Sequence, residues 1–163
     1  MYYGTYEKYI ELYEAIDIDA YKNLAWEADR LLDKHTTGID NVRKLRVAFP
    51  TDEYDAEAVR RCEFALVYML YRFDKAEKAA AANTDSLGDG VTSGIIETIS
   101  SGTESITYAT DTESMVGTPI DAAVGDVTKR QELFARTIRD HLTGVTDANG
   151  VNLLYMGVYP HVH

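Results

Sequence analysis

The chain has a single cysteine, Cys62, among 163 residues. A lone thiol excludes an intrachain disulfide framework and fits a reducing cytoplasm. Cationic charge is also scarce: 16 Lys and Arg stand against 27 Asp and Glu, a net charge of −11. That balance argues against a protein that grips nucleic acid through its phosphates, because counterion release needs clusters of Lys and Arg. It is compatible with a wall past which DNA slides without sticking, and equally with ordinary solubility. No apolar run approaches the about 20 residues that a bilayer span requires. The start of the chain, with Tyr2, Tyr3, Tyr6 and Glu7, has no basic stretch followed by an apolar run. Neither a membrane span nor a signal peptide is therefore expected.

Catalytic signatures are missing too. The histidines are His35, His141, His161 and His163. The first two fall at expected helix C-termini, where partial positive charge suits the dipole. His161-x-His163 would need a distant carboxylate to hold a metal. The acids Asp17, Asp19, Asp52, Glu53 and Asp55 sit where helix N-caps belong. Asp85-x-x-Gly88-Asp89-Gly90 resembles part of a calcium loop, but Ile96 occupies the twelfth position in place of a bidentate Glu. There is no phosphate-binding glycine loop and no Ser/His/Asp context. No catalytic residue, cofactor site or metal site is expected, and the protein reads as a non-enzyme.

What is present is the material of a globular domain. Hydrophobic residues make up 45% of the chain, which suffices for a core at this length. The aromatics are skewed, with 12 Tyr against 4 Phe and 1 Trp. Tyrosine combines a rigid apolar body with a polar tip, so these side chains suit either the edge of a core or a surface buried on assembly.

The pattern predicts mainly α structure. A short helix spans Thr5 to Glu14, capped by Thr5, with Tyr6, Tyr9, Ile10 and Tyr13 on one face. A second, capped by Asp17 or Asp19, runs to about His35 on a stripe of Tyr21, Leu24, Ala25, Ala28, Leu31 and Leu32, with Gly38 as its stop. Residues 39 to 54 read as a connector. A long helix from Asp52 or Asp55 to about Ala82 carries a heptad-like seam of Val59, Cys62, Leu66, Met69, Phe73 and Ala76, widened by Ala65 and Leu70. Cys62 lies inside the seam as a core thiol.

From Asn83 to Gly94 the chain reads as a polar loop. Ile95 to Ile99 and Ser105 to Ala109 then read as a β-hairpin turning over residues 100 to 103. A hairpin this small needs support from the helices or from another chain. Residues 110 to 126 are loop-like. Thr128 caps a last helix to Leu142 with a face of Leu133, Phe134, Ile138 and Leu142. Asn149-Gly150 marks a turn before the apolar tail Leu153 to Tyr159. The expectation is one domain, 1–163: N-terminal helices over 1–82, a loop and β-hairpin insertion over 83–126, a last helix over 127–144 and a tail over 145–163. This amounts to a small bundle of about four helices with an inserted hairpin and an extended C-terminal tail.

In order and spacing, these features resemble the head–tail connector proteins of tailed bacteriophages, also called adaptors or head-completion proteins. The long helix carries a Val-x-x-Cys-x-x-Ala-Leu pattern. Ser105, Thr107, Tyr108 and Ala109 match a strand that precedes the last helix in that family. Leu153, Leu154, Tyr155, Gly157 and Val158 match its Gly-Leu-Leu-Tyr-Arg-Gly-like ending. The chain departs from the family pattern in an insertion over 111–126, in the spacer Val145 to Asn152, and at Met156, where a basic residue is common.

The resemblance implies a structural virion protein, assembled in the host bacterial cytoplasm and placed in the virion neck. Its partners would be further copies of itself in a ring of about twelve, the portal above, and a stopper or tail-completion protein below. DNA would pass through the ring without sequence-specific binding. Residues expected to dock on the portal are Leu153, Leu154, Tyr155, Val158 and Tyr159. The hairpin residues Ile96, Ile99, Ile106 and Tyr108 are expected to meet a neighbouring subunit or the downstream partner. The tail is expected to be separable, so that loss of residues 152 to 163 leaves the bundle folded but unattached. The alternative is a small acidic helical interaction module or regulator. A stopper is disfavoured because it should be mostly strand.

Overall fold

The computed structural model describes residues 3–85, 99–101, 104–106 and 119–160. The described chain is mainly helical, organised around α4, Glu53–Asp85. At 1.5 Å per residue this helix is about 50 Å long. Against it pack α2, Ile18–Thr36, and α6, Val127–Leu142, with the short α5, Pro119–Ala122, also touching α4 and α6. The first helix, α1, covers Tyr6–Leu12, and α3 is a single turn, Lys44–Val47, that touches α2.

The reasons for these elements are local. Asp17 caps α2 by accepting from Asp19 N at 3.0 Å and Ala20 N at 3.2 Å. Asp52 caps α4 by accepting from Tyr54 N at 3.0 Å and Asp55 N at 3.1 Å. Each cap satisfies backbone donors that the first turn leaves without partners. The last helix starts from Asp126, which accepts from Lys129 N at 3.1 Å, so the expected cap at Thr128 is corrected by two residues. The expected cap at Thr5 makes no side-chain hydrogen bond.

The seam of α4 is buried at Val59, Cys62, Leu66, Met69 and Phe73. Glu63, Phe64 and Val67 are buried as well, because α4 is covered on more than one side. Tyr9 of α1 lies 6.1 Å from the Phe64 ring, and Tyr13 lies 5.1 Å from Tyr68. On another face of α4, Phe73 meets Phe134 of α6 edge-on at 5.8 Å. Tyr9 also stacks on Tyr13 and tilts against Tyr21, and such ring pairs add about 0.5–1.5 kcal/mol each beyond their burial. Several tyrosines therefore serve the core and its margin. Tyr9, Tyr21 and Tyr159 are buried, whereas Tyr54 and Tyr155 face solvent.

Two segments read as irregular contain helical turns. Residues 39–54 hold α3, and residues 110–126 hold α5. Between α4 and α5 the structure describes a short antiparallel ladder, β1 Ile99–Ser101 and β2 Glu104–Ile106. It pairs Ile99 with Ile106, Ser100 with Ser105 and Ser101 with Glu104. The ladder thus extends into residues expected to form the turn. Ile96 and Tyr108 lie outside the described residues.

Candidate docking surface

The apolar C-terminal segment docks in part on its own subunit. After α6 the chain turns back at Gly144, whose φ of +84° is left-handed and suits a residue without a Cβ. Leu153 N then donates to Val145 O at 3.0 Å, and an isolated bridge joins Thr146 to Asn152. The hairpin-like loop between them is organised by Asp147, which is buried. Its Oδ1 accepts from Asn149 N and Val151 N, both at 2.9 Å, and its Oδ2 accepts from the hydroxyl of Tyr159.

This loop is tied to the rest of the protein from both sides. Thr146 donates through N and Oγ1 to Asp55 Oδ2 of α4, each at 2.9 Å. Ala148 N donates to Ala48 O at 3.2 Å, and Ile39 N donates to Met156 O at 3.0 Å. Tyr159 N donates to Asp40 Oδ2 at 2.6 Å. Gly38 lies so close to the carbonyl of Gly157 that a Cβ there would collide with it.

The centre of this attachment is Lys44. Its side chain is fully buried, and Nζ donates to three carbonyls of the segment: Asn152 O at 3.3 Å, Leu153 O at 3.0 Å and Tyr155 O. Burial pulls the ammonium pKa below its ordinary value, and the charges of Asp147 and Asp40 work in the opposite direction. An ammonium without such acceptors would not remain buried and charged. Lys44 therefore acts as a cationic clasp that orders an otherwise irregular backbone.

The clasp divides the expected docking residues into two sets. Leu153 is 0% exposed and Tyr159 5%, so both belong to this subunit's own interior, and Leu154 packs partly against the core. Tyr155 at 51% and Val158 at 58% are exposed, together with Met156 at 51%. Leu153 and Tyr159 are unavailable to a partner in this conformation. Met156 joins the exposed set. No periodic pattern encodes this division, because the backbone here is neither helix nor strand and its orientation is set by contacts about 110 residues away in sequence.

A second polar cluster lies inside the helices. Asp33 accepts from the Tyr3 hydroxyl at 2.6 Å and from Arg46 Nε at 2.7 Å. Asp29 and Glu63 are buried nearby with weaker support: the backbone amides of Tyr3 and Gly4 approach them, but no described cation forms an ion pair with either. Burial, reinforced by the Asp29 charge, pushes Glu63 up to about 8, and burial pushes Asp29 up to about 7 against the pull of Arg46. Cys62 is buried in the same helix, and burial raises its thiol well above the ordinary range. Among the described residues no group of three or more His, Cys, Asp or Glu is arranged to hold a metal ion, and no helix is long and apolar enough to cross a membrane.

No family model, no curated protein and no solved structure matches this chain.

Proposed function

We propose that this protein is a structural, non-enzymatic component of a phage neck, a ring-forming connector between the portal of the DNA-filled head and the tail or stopper. The reading rests on the resemblance carried by Ser105, Thr107, Tyr108 and Ala109 and by the Leu153 to Val158 ending. One structural observation supports it most: Tyr155, Met156 and Val158 present an exposed apolar surface on a backbone that Lys44 holds in place. A preorganised apolar surface loses little entropy on docking. The portal contact is accordingly assigned to these three side chains, with Leu153 and Tyr159 as the internal anchors that present them. The inserted β-hairpin, with Ile96, Ile99, Ile106 and Tyr108, is proposed to contact a neighbouring subunit or the downstream partner.

The test is replacement of all three exposed residues by serine. Because none of them is buried, the variant should keep its helical circular dichroism and its unfolding midpoint. It should lose attachment to the cognate portal in a sedimentation assay. Unimpaired attachment by a folded variant would refute the assignment.

A further inference from the structure

An open groove of about 1170 Å³ runs between the second half of α2, the connector around α3, and the start of α6. Its lining is unlike the rest of this acidic chain. Five cations, Arg30, Lys34, Arg43, Arg46 and Arg130, face two carboxylates, Glu27 and Asp33. Arg46 is paired with Asp33, and Arg130 with Glu77. Arg30, Lys34 and Arg43 form no ion pair with a described carboxylate. Uncompensated positive charge is thus concentrated in one concavity of a molecule whose net charge is −11.

The floor and rim are suited to protein contact. Leu31, Leu70 and Phe134 provide apolar lining. The single tryptophan, Trp26, stands 55% exposed at the edge, with the Arg30 guanidinium 4.8 Å from its ring centroid. Tryptophan and arginine together are the residue types that dominate binding hot spots.

A complementary surface exists on the same molecule. Along α1, Glu7, Ile10 and Glu11 are exposed and share the outward stripe set by the spacing of three and four, and exposed Glu14 follows just beyond the helix. Ile10 is 42% exposed and the neighbouring Leu12 48%. An acidic ridge with apolar side chains is the counterpart of a basic groove with an apolar floor.

The two surfaces belong to different elements: the ridge to α1, the groove to α2, the α3 connector and α6. Different, complementary patches on one subunit generate head-to-tail association, the geometry that closes into rings.

We infer that the Trp26–Arg30–Lys34–Arg43 groove of one copy receives the acidic Glu7–Glu11 ridge of the next, making this the subunit interface of the assembly. The choice of a second copy as occupant rests on the ring reading above. The apolar lining of Leu31, Leu70 and Phe134 beside the cations suits a protein ridge that carries both carboxylates and apolar side chains.

The experiment uses the full-length protein and its own reporter, Trp26. As concentration rises at low salt, sedimentation mass should increase and Trp26 emission should move to shorter wavelength, and both changes should weaken at about 0.5 M salt. A groove variant, Lys34→Glu with Arg43→Glu, and a ridge variant, Glu7→Lys with Glu11→Lys, should each associate at least about tenfold more weakly. All four positions are exposed, so both variants should fold. Mixing the two variants, or combining all four substitutions in one chain, restores opposite charges and should restore association. Assembly that ignores both charge reversals would overturn the inference and leave the ring reading standing on another surface. A chain that stays monomeric at every concentration would also overturn it, while portal attachment judges the ring reading separately. A Trp26 response to duplex DNA but not to protein concentration would overturn it in favour of a phosphate ligand.

Discussion

Replacing Lys44 with methionine removes the clasp while keeping nearly the same length of side chain. In the structure Nζ serves three carbonyls, of which the Leu153 bond is buried and the Asn152 and Tyr155 bonds are partly buried. Water can reach the latter two carbonyls once the ammonium is gone. The Leu153 carbonyl is left without its donor, at a penalty of about 1–3 kcal/mol, and the two partly buried charge-assisted bonds add a smaller loss. Relief of the ammonium desolvation offsets part of this, since burying a charge itself costs several kcal/mol. The balance is a destabilisation of about 2–3 kcal/mol. With a urea slope of about 2–3 kcal/mol/M for a domain of this size, the midpoint should fall by roughly 1 M. Hydrogen exchange should accelerate first in residues 145–160, ahead of the α4 amides. An unchanged midpoint, with unchanged protection in that segment, would refute the role given to Lys44.

Other expectations follow from the same structure. Leu153→Ala should cost about 2–5 kcal/mol, as for a fully buried leucine, measured by chemical denaturation; a change below about 0.5 kcal/mol would place Leu153 outside the core. Glu63 and Asp29 have raised carboxyl pKa values, about 8 and about 7. The folded state keeps protons that the unfolded chain releases, so their contribution is fully present below the ordinary values near 4 and is lost as pH rises through about 8. The urea midpoint should therefore fall between pH 5 and 8.5, and Glu63→Gln should flatten that fall; an identical pH profile in the variant would contradict the burial of an uncompensated carboxyl. Cys62 should react with a thiol reagent only as fast as the protein unfolds, and rapid labelling under native conditions would show that the seam of α4 is open.

The parts of the fold legible in the sequence are those where local chemistry and periodicity agree. The α2 stripe at Tyr21, Ala25, Ala28 and Leu32, the α4 seam from Val59 to Phe73, and the α6 face at Phe134, Ile138 and Leu142 are buried as their spacing implies. Asp17 and Asp52 cap the helices that follow them because their carboxylates reach free amides within one turn. Lys44 was not legible, since a lysine in a connector ordinarily projects into water. Its burial depends on carbonyls supplied by residues 152–155. Asp29 and Glu63 escaped for the same reason: charged residue types on helices read as solvated, and the packing of α2 on α4 under Tyr3 and Gly4 encloses them. The apolar tail was legible as a site of burial and exposure, but not in its partition. Leu153 and Tyr159 turn inward, and Tyr155, Met156 and Val158 outward, through contacts with Lys44, Asp40 and Gly38 that no local pattern encodes. The groove at Trp26 was also hidden, because its cations come from α2, the α3 connector and α6, which are distant in sequence.

The most direct test of the neck assignment is the mass of the protein mixed with its cognate portal, measured by sedimentation over a wide range of concentration. One discrete complex is expected, carrying a ring of this chain on the portal and lost when Tyr155, Met156 and Val158 are replaced together. Portal and chain sedimenting independently at every concentration would contradict it and favour a small acidic interaction module with the same fold.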